Sequence, residues 1–298
     1  MRRALAYGLL PLCLSACGGD AEVSQAPEQT RSEDFGAVLT FATFAQQLEQ
    51  PTETKRGVAE GLNLDGADGI GEDATSCFKK DFDGPDGRPG VDNQFAVLLP
   101  LIKTFVGEDN IDVLLEAAIT NGQLLIVMEL QGLDNLDDDP DVKLRLGAGT
   151  GSVLQDTTGA YELYQTFGYN REEAPTSDFT GYVKDGTLYA HADEAWLPVR
   201  VLDADFNLHV RGAQVEFKLS REQQVGGVFV EGIVSGGINV EDFKDIVAGL
   251  NISSDLQKLA TSVIGGTADL APDGDGVCQE VSAALKFRAS PAYILDQE

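Results

Sequence analysis

Tyr182-Val183-Lys184-Asp185-Gly186-Thr187-Leu188-Tyr189 carries the clearest structural signal in this chain. β-Branched and aromatic residues stand on both sides of Asp-Gly, a dipeptide that tolerates the positive φ angles of a two-residue hairpin turn. Strands joined in this way run antiparallel. Downstream, Leu197 to Leu202, Phe206 to Val210 and Ala213 to Leu219 continue the β pattern. In the last of these, Val215, Phe217 and Leu219 alternate with Gln214, Glu216 and Lys218, which predicts a sheet with one solvated face. Val225 to Val234 reads as another strand, with Gly236-Gly237 as its stop, and Val281 to Phe287 as the last.

Upstream, Gln123 to Leu133 and Val142 to Leu146 read as strands flanking an aspartate-rich turn at 134–141. Gly147-Ala148-Gly149-Thr150-Gly151 lacks the lysine and following helix of a phosphate loop and reads as a flexible loop. Phe35 to Gln47 suits a first strand or a short helix. Helical spacing marks Asn93 to Phe105, with an interruption near Pro100, and Ile111 to Thr120, stopped by Asn121-Gly122. Two more helices are expected at Val240 to Leu250 and Ser254 to Ile264, with Ser253 capping the second. Hairpin-linked strands with grouped helices predict an α+β fold: a mainly antiparallel, sandwich-like sheet, two pairs of helices, and Asp/Gly-rich loops.

Those loops share a grammar. Asn63-Leu64-Asp65-Gly66-Ala67-Asp68-Gly69 is the first, Asp81-Phe82-Asp83-Gly84-Pro85-Asp86-Gly87 running on to Asp92 the second, and Asp273-Gly274-Asp275-Gly276 the third. Alternating aspartates in a tight loop offer carboxylate oxygens, and glycine lets backbone carbonyls join them, as a calcium ion with six to eight oxygen ligands requires. The candidate ligands are Asp65, Asp68, Asp81, Asp83, Asp86, Asp92, Asp273 and Asp275, with calcium as the expected cofactor. The second loop resembles the calcium loops of dockerins and thrombospondin type 3 repeats over about a dozen residues. It departs from the EF-hand pattern at Pro85 and Asp86, and it ends in Asp92 rather than glutamate. Asp-Gly is also ordinary turn chemistry, as Asp185-Gly186 illustrates.

The first residues have a different logic. Arg2 and Arg3 precede an apolar run from Ala4 to Leu14, and Leu14-Ser15-Ala16-Cys17 follows. Positive charge, a short apolar core and small residues before a cleavage point make a signal peptide. Leu-Ser-Ala-Cys resembles the lipobox of bacterial lipoproteins. That resemblance implies export, diacylglyceryl transfer to Cys17, cleavage before it, and anchoring of the mature chain to a membrane by lipid. Gly18 after the cysteine favours the outer membrane under the enteric sorting rule. The alternative is an ordinary signal peptide that contains a cysteine. Residues 1–16 are thus read as the leader, 17–34 as a flexible tether of core-poor composition, and 35–298 as one globular domain. The order of lipobox, Asn-Leu-Asp-Gly, Pro-Asp-Gly with Val91-Asp92-Asn93-Gln94, and a late Asp-Gly-x-Cys also looks like lipoproteins of myxobacteria.

The chain has four cysteines. With Cys13 lost in the leader and Cys17 lipidated, Cys77 and Cys278 remain in an oxidising compartment and are expected to pair. The alternative is two buried thiols. A bridge would draw the three acidic loops towards one end of the globule, where a divalent ion would relieve their repulsion.

The formal net charge is −28, and losing Arg2 and Arg3 with the leader leaves 19 basic against 49 acidic residues, a charge of −30. Nucleic-acid binding, which rests on basic side chains, is disfavoured. The two histidines, His191 and His209, lie on separate expected strands without metal-ligand spacing, and no Gly-x-Ser-x-Gly elbow occurs. The composition therefore points to a non-catalytic, calcium-stabilised envelope lipoprotein for binding or structure, its protein or glycan partner undefined. A tethered hydrolase using carboxylates and a carrier of an apolar ligand are the alternatives.

Overall fold

A computed structural model describes residues 40–68, 77–106, 110–172, 174–201, 204–221, 227–249 and 253–295. The leader, Cys17 and the tether lie outside the described residues. In chain order the elements are β1 (Thr40–Glu49), α1 (Phe95–Val106), α2 (Asn110–Thr120), β2 (Ile126–Gln131), β3 (Asp139–Thr150), β4 (Gln165–Tyr169), β5 (Ser177–Lys184), β6 (Thr187–Val201), β7 (Ala204–Arg221), β8 (Val228–Asn239), α3 (Val240–Gly249), α4 (Ser254–Thr267), β9 (Leu270–Pro272) and β10 (Cys278–Ile294).

The expected sandwich-like α+β sheet is overturned. Strands β1, β2, β3, β5, β6, β7, β8 and β10 pair antiparallel in that order, and β10 returns to pair with β1, so the sheet closes into an eight-stranded up-and-down barrel. At the seam Ala42 faces Ala292 and Glu49 faces Lys286. A barrel of eight strands has an interior just wide enough for side chains to fill. Phe179, Phe217, Phe287, Met128 and Leu130 fill it, each less than 2 % exposed. Polar side chains such as Asp178, Thr180, Lys184 and Lys218 occupy exposed positions on the outside.

The physical reason for the correction lies in the glycines. β3 runs through Gly147-Ala148-Gly149, and β8 runs through Gly236-Gly237. These residues permit close approach within strands rather than ending them: a Cβ on Gly149 would lie 2.6 Å from Leu125 Cγ. The stretch expected to be a flexible loop is therefore strand. Similarly, the separate segments expected around 197–219 form the long hairpin β6–β7, with a bulge between Arg211 and Gln214.

Local expectations fare better. Asp185 and Gly186 adopt φ of 50° and 74°, the positive values of a tight hairpin turn between β5 and β6. Ser253 caps α4 by accepting from Leu256 N–H. The interruption expected near Pro100 does not occur: α1 continues through it. Among the described residues no helix is long and apolar enough to cross a membrane.

Strand register defines two rims. β1 begins at the rim that holds the short connections β2–β3, β5–β6 and β7–β8 and the end of β10. At the opposite rim the chain leaves and re-enters the barrel in its long insertions, those between β1 and β2 with α1 and α2, between β3 and β5 with β4, and between β8 and β10 with α3, α4 and β9; β4 also pairs parallel with Ala292 to Ile294 at the end of β10. There Val240, Phe243, Val247, Ala260 and Ile264 of α3 and α4 pack on Ile238 and Val281.

Candidate metal centre

The described residues 51–68 and 77–94 run as a strap of loops and isolated bridges. Phe82 and Val91 exchange backbone hydrogen bonds of 2.9 and 2.8 Å, Asp92 N–H donates to Leu62 O at 3.0 Å, and Ala59 N–H to Asp83 O at 3.1 Å. Beneath these bridges lies a small core of Ala59, Phe82, Val91 and Ala96. Side chains complete the first acidic loop: Asn63 Oδ1 accepts from Gly66 N–H, and Asp65 Oδ1 from Ala67 N–H. The two acidic loops meet at Gly90, whose φ of +76° is glycine's, and where any Cβ would strike Ala67 O.

This folding brings Asp65, Asp81 and Asp92 together, with one carboxylate oxygen from each lying within 4.8 Å of the others. Asp81 and Asp92 are buried and Asp65 is half-buried, which gives the cluster an approach from solvent. Asp92 Oδ2 accepts from Leu64 and Asp65 N–H, whereas its Oδ1 is buried without a hydrogen-bond donor. The neighbouring Asn93 Oδ1 is also buried without one, although Asn93 Nδ2 donates to Glu60 O at 2.8 Å. An oxygen left without a donor in the interior is costly unless something else satisfies it. Burial pushes the Asp92 carboxyl up to about 8; the Leu64 hydrogen bond opposes the shift, and the charges of Asp65, Asp81 and Asp269 add to it. Three convergent carboxylates with an orphaned oxygen fit a hard cation that prefers oxygen ligands.

The other candidate ligands are placed elsewhere. Asp68 and Asp83 are exposed. Asp86, also exposed, pairs with Arg88 at 2.6 Å, and Arg88 reaches Glu216 on β7 at 2.7 Å. The third loop is the hairpin turn between β9 and β10. Asp273 accepts from Asp275 N–H, Val277 N–H and Gln279 Nε2, with both aspartates exposed.

Cys77 and Cys278 form a disulfide with Cα atoms 5.9 Å apart. It ties the strap to the first residue of β10. The bridge does not carry the third loop into the cluster. Instead Asp269, immediately before β9, is brought close to it. Asp269 is wholly buried, accepts from Ser282 N–H at 2.8 Å and Ser282 Oγ at 2.5 Å, and is pushed up to about 7, mainly by burial, with Asp81 adding to the shift. Sequence reasoning missed Asp269 because it belongs to no Asp-Gly repeat; pairing along β9 and β10 alone buries it. In the 134–141 turn, Asp139 is buried and accepts from the N–H groups of Asp134, Asn135 and Asp141. His209 stacks on Trp196 with ring centroids 4.3 Å apart, and His191 is exposed.

The described residues thus define a closed antiparallel barrel with a three-aspartate centre on a strap that is disulfide-linked to it. No protein-family model, curated protein or solved structure matches the chain.

Proposed function

We propose that this is an exported, lipid-anchored envelope protein whose barrel is stabilised by calcium at Asp65, Asp81 and Asp92, and which works by binding or by structural support rather than by catalysis. The observation that carries the metal reading is the convergence of three carboxylates, one of which, Asp92, also buries an Oδ1 that has no hydrogen-bond donor. An all-oxygen donor set favours calcium over zinc, which takes nitrogen and sulfur ligands. An extracellular site need bind only in the ~10⁻⁴–10⁻³ M range.

The lipid anchor rests on Arg2-Arg3, the short apolar run and Leu14-Ser15-Ala16-Cys17.

Two features weigh against the other readings. The acids with raised pKa, Asp92 and Asp269, are both wholly buried, and a hydrolase needs its acids in a cleft that substrate can enter. An apolar-ligand carrier needs an open interior, and bulky side chains occupy this one.

The test is a thermal melt of the purified mature chain in millimolar calcium and in chelator, alongside titration calorimetry with calcium chloride. The melting temperature should rise with calcium and fall with chelator. Identical melts and no binding heat would remove the metal from the proposal.

A further inference from the structure

Asp269 belongs to none of the Asp-Gly loops, yet it is joined to them by a short run of hydrogen bonds. Its N–H donates to Glu280 O at 2.9 Å, and its carboxylate accepts from both Ser282 N–H and Ser282 Oγ. Gln94 links this pair to the strap: its N–H donates to Ser282 Oγ at 2.8 Å, and its Nε2 donates to Lys80 O at 3.0 Å. Gln94 follows Asp92 by two residues and Lys80 immediately precedes Asp81, so these contacts reach both buried ligands. The antiparallel bridge of Phe82 with Val91 sets Asp81 opposite Asp92. Asp269 is 0 % exposed, and among the described residues no basic side chain pairs with it. Burying a carboxylate without an opposite charge is costly, and asparagine would satisfy Ser282 without that cost. What the position lacks is a cation, and the place for one is the convergence of Asp65, Asp81 and Asp92. Asp269 lies outside that group of three, so it acts on an ion there through space rather than as a ligand.

We infer that Asp269 is the specificity-determining residue of the metal centre: a fixed outer carboxylate that selects cations by their charge. The attraction between a fixed carboxylate and an ion grows in proportion to the ion's charge. Salt screens a buried charge far less than an exposed one, so the bias persists in physiological solution. The two donors of Ser282 hold the carboxylate in place, and pairing of β9 with β10 keeps water from it. Sodium and potassium also accept oxygen ligands, and the three converging carboxylates do not by themselves reject them. The fourth charge widens the gap in favour of calcium. By the same rule it favours a trivalent ion with the same preference for oxygen still more.

This inference rests on the calcium reading above, and calorimetry on the mature, unreduced chain separates the two. Calcium chloride and lanthanum chloride are titrated at one pH into the parent and into Asp269→Asn. The variant should bind calcium about 10-fold and lanthanum about 30-fold more weakly, because the lost attraction scales with cation charge. Equal losses for the two ions, or none, would make Asp269 a structural member of the β9–β10 pair; the inference would be overturned and the calcium site would stand. Asp68→Asn removes the same charge from an exposed position and should change either affinity less than about twofold. A loss there as large as that of Asp269→Asn would show that net charge alone matters, and would also overturn the inference. A measurement on the parent covers the case of a variant that does not fold. Gadolinium chloride, whose ion is paramagnetic, should broaden the Ser282 amide resonance and leave that of Lys184 in β5 sharp. A sharp Ser282 signal would place the ion too far from Asp269 and overturn the inference. If neither calcium nor lanthanum binds the parent, the calcium reading and this one fail together.

Discussion

Asp92 accepts through Oδ2 the backbone N–H of Leu64, 28 residues earlier, at 2.6 Å. That hydrogen bond closes the first acidic loop onto the second and turns the free Oδ1 of Asp92 towards the interior. Much of the behaviour expected of this protein follows from it.

Replacing Asp92 with asparagine keeps an oxygen for the Leu64 and Asp65 N–H groups and removes the charge. The metal-free Asp92→Asn protein should be as stable as the parent at neutral pH, or more stable by ~1 kcal/mol, since asparagine is neutral without the proton uptake that burying Asp92 requires. Its response to calcium should vanish. Melts with and without calcium measure both effects.

Metal-free stability should fall as pH rises. The Asp92 carboxyl titrates near 3.8 when exposed and at about 8 when folded, so between these values the folded state holds a proton that the unfolded state has released. The associated stability is fully present below pH 4 and is lost as pH rises through 8. Asp269, with its folded value of about 7, acts in the same direction. Each group contributes a slope of up to ~1.4 kcal/mol per pH unit within its window. Urea denaturation in chelator at pH 5, 7 and 9 reads this trend, and calcium should flatten it because the metal binds the ionised carboxylates.

Unfolded, unreduced mature protein should contain no thiol reactive towards a colorimetric reagent apart from any unmodified Cys17. Reducing the Cys77–Cys278 bridge, which spans 201 positions, should cost ~2–5 kcal/mol. Comparing the denaturation midpoints of the parent and a Cys77→Ser/Cys278→Ser double variant tests this directly.

Phe287 points into the barrel, 1 % exposed, and meets Phe217 edge-on with ring centroids 5.9 Å apart. Phe287→Ala should cost ~3–5 kcal/mol through lost burial and the cavity left behind. Arg88→Ala, which breaks the half-exposed pairs with Asp86 and Glu216, should cost under ~1 kcal/mol. A large effect of the surface change and a small one of the core change would contradict the packing described for this barrel.

Cys17→Ser should abolish incorporation of labelled fatty acid and leave the chain in the soluble export fraction or uncleaved. Continued membrane pelleting of the variant through lipid would show that another residue carries the anchor.

The amino-acid order alone was enough to establish several features that depend on neighbours in the chain. The Asp185-Gly186 turn, the Ser253 cap, the helices after Asn93 and Val240, and the alternation at Val215, Phe217 and Leu219 are set by local dihedral preference and by side-chain period, which act over a few residues. The pairing of Cys77 with Cys278 was also legible, on the expectation that Cys13 leaves with a leader and Cys17 carries lipid. Closure of the sheet was not. It depends on Ala42 meeting Ala292 across almost the whole chain, and on glycines that serve close packing inside β3 and β8 but read locally as stops. The metal centre divides along the same line. Asp65, Asp81 and Asp92 stood out by spacing, yet spacing could not separate them from Asp83, Asp86 and Asp273. Burial made that distinction and added Asp269, and burial is a property that only tertiary packing confers.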